Sequence, residues 1–201
     1  MEGRVAVLVS GTGTNLQALL DDPTVGPCVH LVISDRPDVR ALERARERRV
    51  ADVVLDPASF RGGEGHDEAL VALLRDHAID VVILAGYMRI VGPRVVEAFR
   101  DRIVNVHPAL LPAFPGATAV ADALAYGVRV TGVTVHLVDE QIDHGPILAQ
   151  EAVPVVEGDT VGSLTERLHE VEHRLLPAMA AAALEGRVHV DGRRVAIGGS
   201  T

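Results

Sequence analysis

The sequence predicts an α/β protein: a mostly parallel sheet with helices on both faces and antiparallel strands in the C-terminal part. Three observations predict it. Short β-rich runs alternate with helical periodicity through the first two-thirds of the chain. The run Val81-Val-Ile-Leu84 is apolar at every position, as a strand covered on both faces must be. From Val130 to Val138 and from Ile147 to Val155 two strands flank an acidic loop, which fits an antiparallel pair.

Val5 to Val9 is the first strand. Gly11 and Gly13 break it, and Asn15 to Leu20 reads as a helix. Val29 to Ile33 is the second strand. Asp38 to Arg49 is a charged helix, with Glu43 and Arg46 three apart on a solvated face. Asp52 to Leu55 is a third strand, and Ser59 to Gly65 is the one segment expected to be a mobile loop. His66 to His77 is a helix with its apolar stripe at Leu70, Leu73 and Leu74. Pro93 opens the next helix at its first position, where a missing N–H does no harm. Ile103 to Val106 is a strand that Pro108 prevents from continuing as an ordinary ladder. Thr160 to Leu184 is a long helix ending near Gly186. Val188 to Val190 and Arg194 to Ile197 form a hairpin around Asp191-Gly192. No repeat or linker divides the chain. A single domain over residues 1–201 is expected, with halves at about 1–100 and about 101–201.

Composition excludes several classes of function. The chain is 48% hydrophobic with mean hydropathy +0.23, ample for a core. Formal net charge is −9 and the isoelectric point about 5.4, which argues against nucleic acid as the main partner. All 19 basic residues are Arg. Without Lys there is no Schiff base, no Walker lysine and no lysine general base. The single Cys28 cannot form an internal disulfide, which fits a reducing compartment. No Cys/His spacing makes a zinc site, so no metal is expected. The opening Met1-Glu-Gly-Arg-Val lacks a signal-peptide layout, and no apolar run reaches about 18 residues. A cytoplasmic protein with no membrane span is therefore expected.

The chemistry concentrates in Arg102-Ile-Val-Asn-Val-His-Pro-Ala-Leu-Leu-Pro112. Asn105 and His107 are two apart on a strand, so they share a face. An amide donor beside an imidazole at a strand end suits a carbonyl that becomes an oxyanion. The plainer reading makes both turn residues before a proline. The loop Val138-Asp-Glu-Gln-Ile-Asp-His-Gly-Pro146 carries three carboxylates and a histidine. One carboxylate could orient His107 and hold it protonated; the alternative is a solvated acidic turn. Ser10-Gly-Thr-Gly-Thr-Asn15 lies between a strand and a helix, where backbone amides suit a phosphate, although a tight turn with no ligand reads the same. It lacks the third glycine of the dinucleotide fingerprint, since position 16 is Leu. His169 and Glu172 lie three apart on one face of the long helix. His136, His173 and His189 are read as structural or solvated.

These motifs together, Ser10-Gly-Thr-Gly-Thr-Asn15, Asn105-x-His107-Pro-Ala-Leu-Leu-Pro112 and Asp143, resemble the phosphoribosylglycinamide formyltransferase (GAR transformylase) family of folate-dependent formyltransferases. The resemblance runs from about Val5 to about Leu184. It implies a Rossmann-like formyltransferase fold and transfer of a formyl group from 10-formyltetrahydrofolate to the amine of glycinamide ribonucleotide (GAR), a step of purine synthesis. It implies catalytic roles for Asn105, His107 and Asp143. GAR would be held by Gly11, Thr12, Gly13, Thr14, Asn15, Gly86, Pro108, His169 and Glu172, with Gly13, Thr14 and Asn15 on the phosphate and Glu172 near the ribose. The folate pocket would use Leu84, Met88, Arg89, Ile90, Val91, Val96, Ile103, Val138, Glu140, Gln141 and Ile142; for Leu84, Val96 and Ile103, ordinary core packing is an equal reading. The implied partners are these two small molecules, in a monomer or homodimer. The motif shared by the wider group specifies the chemistry better than the acceptor, so another formyltransferase or hydrolase using the same donor is the rival. A tRNA acceptor would call for a basic second domain. Three departures from the family pattern stand out: Arg61 is displaced after Phe60, Thr118 replaces a common His, and His144 follows Asp143 where Gly is common.

Overall fold

In the computed structural model, which describes residues 3–60 and 62–199, five strands run parallel. They are β1 (Val5–Val9), β2 (Val29–Ser34), β3 (Ala51–Val54), β4 (Val81–Leu84) and β5 (Ile103–His107). Two more, β6 (Val130–Leu137) and β7 (Ile147–Pro154), join antiparallel. The sheet order is β3-β2-β1-β4-β5-β6-β7. The helices are α1 (Thr14–Asp21), α2 (Arg40–Glu47), α3 (Gly62–Asp76), α4 (Pro93–Ala98), α5 (Ala119–Tyr126) and α6 (Val161–Leu184). A separate hairpin pairs β8 (Val188–Asp191) with β9 (Arg194–Ile197). The expected mostly parallel sheet with an antiparallel C-terminal part is the one observed.

Strand alternation divides the core. Val5, Val7 and Val9 of β1 face Leu16 and Leu19 of α1 and Leu164, Leu168 and Leu176 of α6. Ala6 and Leu8 face the other way, toward Leu70 and Leu74 of α3 and Val95 and Val96 of α4. Each such fully buried aliphatic side chain contributes about 1.5–3 kcal/mol through apolar area removed from water. The long α6 begins in a capping box: the Thr160 side chain accepts from Ser163 N–H, and the Ser163 side chain accepts from Thr160 N–H.

Three expectations change. The Ser59–Gly65 segment is not a loop throughout. Residues 57–59 form a single 3-10 turn and α3 starts at Gly62. Three glycines argue against a helix by propensity, but the Phe60 ring packs edge-on against His66, with centroids 5.4 Å apart, and anchors the first turns. Arg61 lies outside the described residues. On α2, Glu43 pairs with Arg40, while Arg46 reaches Asp52 at 2.7 Å. Helix α5 was not expected; its pattern was readable as an Ala-rich run closed by Gly127 at φ 84°.

Strand order reverses between β1 and β4, and ligands of open α/β sheets bind outside the strand ends at such a reversal. The loops after β1 and β4 are tied together there. Ser10 N–H donates to the Gly86 carbonyl at 3.2 Å, and Met88 N–H to Ser10 Oγ at 2.9 Å.

Within β6, Gly132 has no room for a side chain. A Cβ there would lie 2.1 Å from the Glu151 carbonyl oxygen and 2.7 Å from Leu110. Gly132→Ala is expected to lower stability by about 1–3 kcal/mol, the usual effect of overpacking, read as a lower midpoint in urea unfolding. An unchanged midpoint would show that β7 yields without penalty.

Candidate active site

The loop after β1 presents the N-terminus of α1. Gly13 precedes the helix, no side chain caps it, and its first N–H groups have no intrahelical partner. Such an end favours an anion. Gly11 and Thr12 are exposed on it. Gly13 is required for a reason the pattern did not reveal. Its φ is 72°, and a Cβ would sit 2.7 Å from Ala41 Cβ. The constraint is thus packing on α2 as well as access for an anion. Arg44 of α2, which the pattern also left out, donates through Nε to the Thr12 carbonyl at 2.9 Å and through Nη1 to Gln17 at 2.8 Å.

Glu172 is buried, not a surface residue of α6. Its Oε2 accepts from Asn15 Nδ2 at 2.7 Å, which ties α6 to the start of α1. Asn15 Oδ1 is buried with no partner. His169 Nε2 lies 4.0 Å from the same Glu172 oxygen and its ring stacks on His173, centroids 5.7 Å apart. His173 is half-buried rather than solvated; burial, and then the neighbouring His169, lower its pKa.

The second half of the site is set by strand register. On β5, Asn105 lies opposite His136 of β6, and His107 opposite Thr134. Residues directly opposite each other share a face. Asn105 Nδ2 stands 3.0 Å from His136 Nε2, and His136 Nδ1 stands 2.8 Å from the Leu137 carbonyl. A carbonyl only accepts, so Nδ1 carries the proton and Nε2 accepts from the amide. Burial lowers the His136 pKa, which keeps the ring neutral and the acceptor in place. His136 therefore belongs to the site, although it drew no assignment from the sequence. The signal was its place opposite Asn105, which needs the register.

His107 is buried, with Nε2 2.8 Å from the Phe114 carbonyl and Nδ1 3.3 Å from Asp143 Oδ2. Asp143 Oδ2 also accepts the Gly116 N–H at 2.7 Å, and Oδ1 is 3.8 Å from His136 Nε2. Thr134 and Gln150 hold the backbone after Pro108 in place. Leu111 N–H donates to Thr134 Oγ1 at 3.0 Å, Thr134 Oγ1 to the Ala109 carbonyl at 2.7 Å, and Gln150 Nε2 to the Leu111 carbonyl at 2.8 Å. Asn105, His107 and Asp143 are thus brought together at one strand end. His144 does not join them: its Nδ1 stands 2.7 Å from Asp139 Oδ2. Thr118 bonds Asp122 on the exposed surface.

Beyond Gly86, at φ 72°, the loop after β4 turns Met88 and Ile90 outward, 61% and 73% exposed; Ile142, on the loop after β6, is 58% exposed. Large apolar side chains left in water suit an apolar ligand. Val96, Val138, Glu140 and Gln141 line a cavity of about 210 Å³ with Arg100 and Asp139. Leu84 and Ile103 are core residues, 6% and 1% exposed, which support that wall from behind. Val91 packs against the same core. Arg89 Nε is buried without a partner. Beneath this loop the Asp67 carboxylate lies so close to Gly92 that a Cβ there would be 1.6 Å from Asp67 Oδ2. Burial raises the Asp67 pKa against the opposing pull of His66, Gly92 N–H and Arg89.

A formyl transferase family model matches residues 3–180, and the chain belongs to that family. Among its relatives is the phosphoribosylglycinamide formyltransferase of Mycobacterium tuberculosis (strain H37Rv), 46% identical over 203 residues, covering 97% of this chain and 94% of that protein. The Bacillus subtilis (strain 168) phosphoribosylglycinamide formyltransferase is 37% identical over 179 residues, 88% of this chain and 92% of the relative. In structure, the glycinamide ribonucleotide transformylase 1 of Symbiobacterium toebii superposes with a TM-score of 0.94 at 49% identity, over 96% of this chain and 93% of that one. Among the described residues no group of three His, Cys, Asp or Glu is placed to hold a metal ion, and no helix is long and apolar enough to cross a membrane.

Two predictions follow from the geometry. His136→Phe removes the acceptor that orients Asn105, and is expected to lower kcat roughly ten-fold or more, by the loss of about one well-placed hydrogen bond, with substrate KM values little changed. Equal loss in kcat and stability would make His136 a packing residue only. Asp67 gives the opposite signature. A carboxyl with a raised folded-state pKa supports the fold below its ordinary pKa, and that support is lost as pH rises through the shifted value. At neutral pH Asp67→Asn should therefore leave Tm in thermal unfolding unchanged or higher. A lower Tm would contradict this.

Proposed function

We propose that this enzyme transfers the formyl group of 10-formyltetrahydrofolate to the primary amine of GAR, giving formyl-GAR and tetrahydrofolate in purine biosynthesis. The observation that carries the reading is the convergence of Asn105, His107 and Asp143 between an anion-receptive helix start and an apolar rim. The family and the names of the relatives agree with it. Without a metal in the scheme, the site supplies hydrogen-bond donors and a proton path. A cytoplasmic location accords with the buried free Cys28, and the enzyme works as monomer or homodimer.

GAR lies with its phosphate on the Gly11–Asn15 loop, beside Gly86, and its ribose near Glu172, while His169 and Pro108 border it. Folate occupies the side of Met88 to Val91, Val96, Val138 and Glu140 to Ile142, with Leu84 and Ile103 as backing. The amine attacks the formyl carbon and a C–N bond forms as the carbonyl oxygen becomes an oxyanion. Asn105 has a second amide hydrogen, not directed at His136, to donate to that oxygen. His107 adds positive charge beside it. Asp143 holds His107 and takes up, directly or through water, the proton lost by the amine. The C–N bond to folate then breaks, and the proton leaves with the folate nitrogen. Fixing both reactants in one crevice supplies much of the acceleration.

His107→Ala is expected to lower kcat by about 10²–10⁴-fold, the usual worth of a positioned acid or base. Turnover is measured with 10-formyltetrahydrofolate and GAR, and in parallel with water or a sugar amine as acceptor. Near-full turnover in the variant removes His107 from the mechanism. Preference for another acceptor in the parent enzyme overturns GAR as substrate.

A further inference from the structure

Asp143 adopts a left-handed backbone, φ 50°, which few non-glycine residues do. Its loop must therefore be held by its surroundings. On one side Gly145 presses on β6: a Cβ there would lie 1.8 Å from the Leu137 carbonyl oxygen. On the other side stands a chain of three side chains. His144 Nδ1 is 2.7 Å from Asp139 Oδ2, and Arg193 Nη1 is 3.2 Å from His144 Nε2 and 3.4 Å from Nδ1. Asp139 Oδ1 in turn accepts the Gln141 N–H at 2.9 Å.

A carboxylate accepts, so His144 Nδ1 carries the proton it donates to Asp139. Arg193 Nη1, almost equally near both ring nitrogens, rests its charge against the imidazole rather than on one lone pair. Burial pushes the Asp139 carboxyl up most strongly, but His144, the Gln141 N–H and the Arg193 charge together hold it below its ordinary value. Arg193 belongs to neither the main sheet nor its helices. It sits on the turn between β8 and β9, beside Gly192 at φ 57°. His144 and Arg193 wall a cleft of about 570 Å³ together with Pro112, Pro115, Ile142 and Asp143. The small hairpin thus reaches the loop that carries the acid of the site.

We infer that the terminal hairpin clamps the catalytic loop: Arg193 and His144 are positioning residues that hold Asp143 against His107. The inference rests on the role proposed above for Asp143. It also gives His144 a defined task. A glycine would leave Asp139 without its imidazole and Arg193 without a contact on the loop.

The test compares the full-length parent with His144→Ala, Arg193→Ala, the double variant, Arg193→Lys and Asp143→Asn, measuring kcat, both KM values and Tm. Each alanine variant is expected to lower kcat roughly five-fold, the upper range for a half-exposed charged contact, with both KM values and Tm held. The double variant should lose no more than the worse single one, because residues of one chain are non-additive. Arg193→Lys should restore most of the loss, since an ammonium can still rest its charge against the imidazole. Unchanged kcat in the single variants, additive losses in the double, or a raised KM at constant kcat would each overturn the clamp. Asp143→Asn separates the two ideas. If it loses activity while the clamp variants are silent, only the clamp fails; if it keeps full kcat, the role of Asp143 fails and the clamp with it. Should His144→Ala not fold, Arg193→Ala and Arg193→Lys, at an exposed turn, decide the matter alone.

Discussion

Asn105 and His136 meet across the β5–β6 ladder, and most of the site hangs from that register. β5 is the strand at which the sheet changes from parallel to antiparallel pairing. Its parallel side joins it to the crevice between β1 and β4. Its antiparallel side brings in β6, whose residues lie opposite it one for one. A slip of one residue would turn every side chain of the pair to the other face. Asn105, His107, Thr134 and His136 would leave together. The buried aliphatic residues flanking them, Val104, Val133, Val135 and Leu137, hold the register by the same alternation.

Polar groups in the site are arranged so that few can rearrange. His136 accepts from Asn105 only while neutral, and its burial keeps it so. Thr134 serves two backbone groups of the segment after Pro108, which fixes the Phe114 carbonyl near His107. Glu172, buried, is satisfied by Asn15 from the opposite end of the chain. Buried polar groups with partners rigidify a site, and the same low dielectric makes a misplaced one expensive. Preorganisation of this kind is what oxyanion stabilisation requires, because donors already aimed at the developing charge need no reorganisation.

An acidic protein that handles anions has a problem of charge, since its net formal charge is −9. The structure meets it locally. The start of α1 offers backbone N–H groups rather than a basic side chain, and Arg44 is engaged in supporting the loop's carbonyl. Backbone donors bind an anion without adding a flexible cation that would also attract competing ions. On the loop after β4 the exposed side chains Met88 and Ile90 are apolar.

Much of this was legible in the residues in order. Apolar runs, glycine breaks and Pro108 located β1 to β7 within a residue or two, because alternation and breakers act locally. Asn105 and His107 were legible as a pair because a strand fixes which neighbours share a face. The Gly-rich turn was legible too, but not the reason for Gly13, whose constraint is Ala41 on another helix. The start of α3 was misread for the same cause: three glycines favour a loop, and only the Phe60–His66 contact outweighs them. His136, Thr134, Asp67 and Arg193 could not be assigned, and Glu172 was assigned only through the family resemblance, since each acts on a partner far away in the chain. The sequence by itself determined the strands, the breaks and the polar pair, all products of short-range geometry. The tertiary structure alone decided which distant carboxylate, imidazole and guanidinium meet them, because those meetings depend on sheet register and on helix packing that no local pattern encodes.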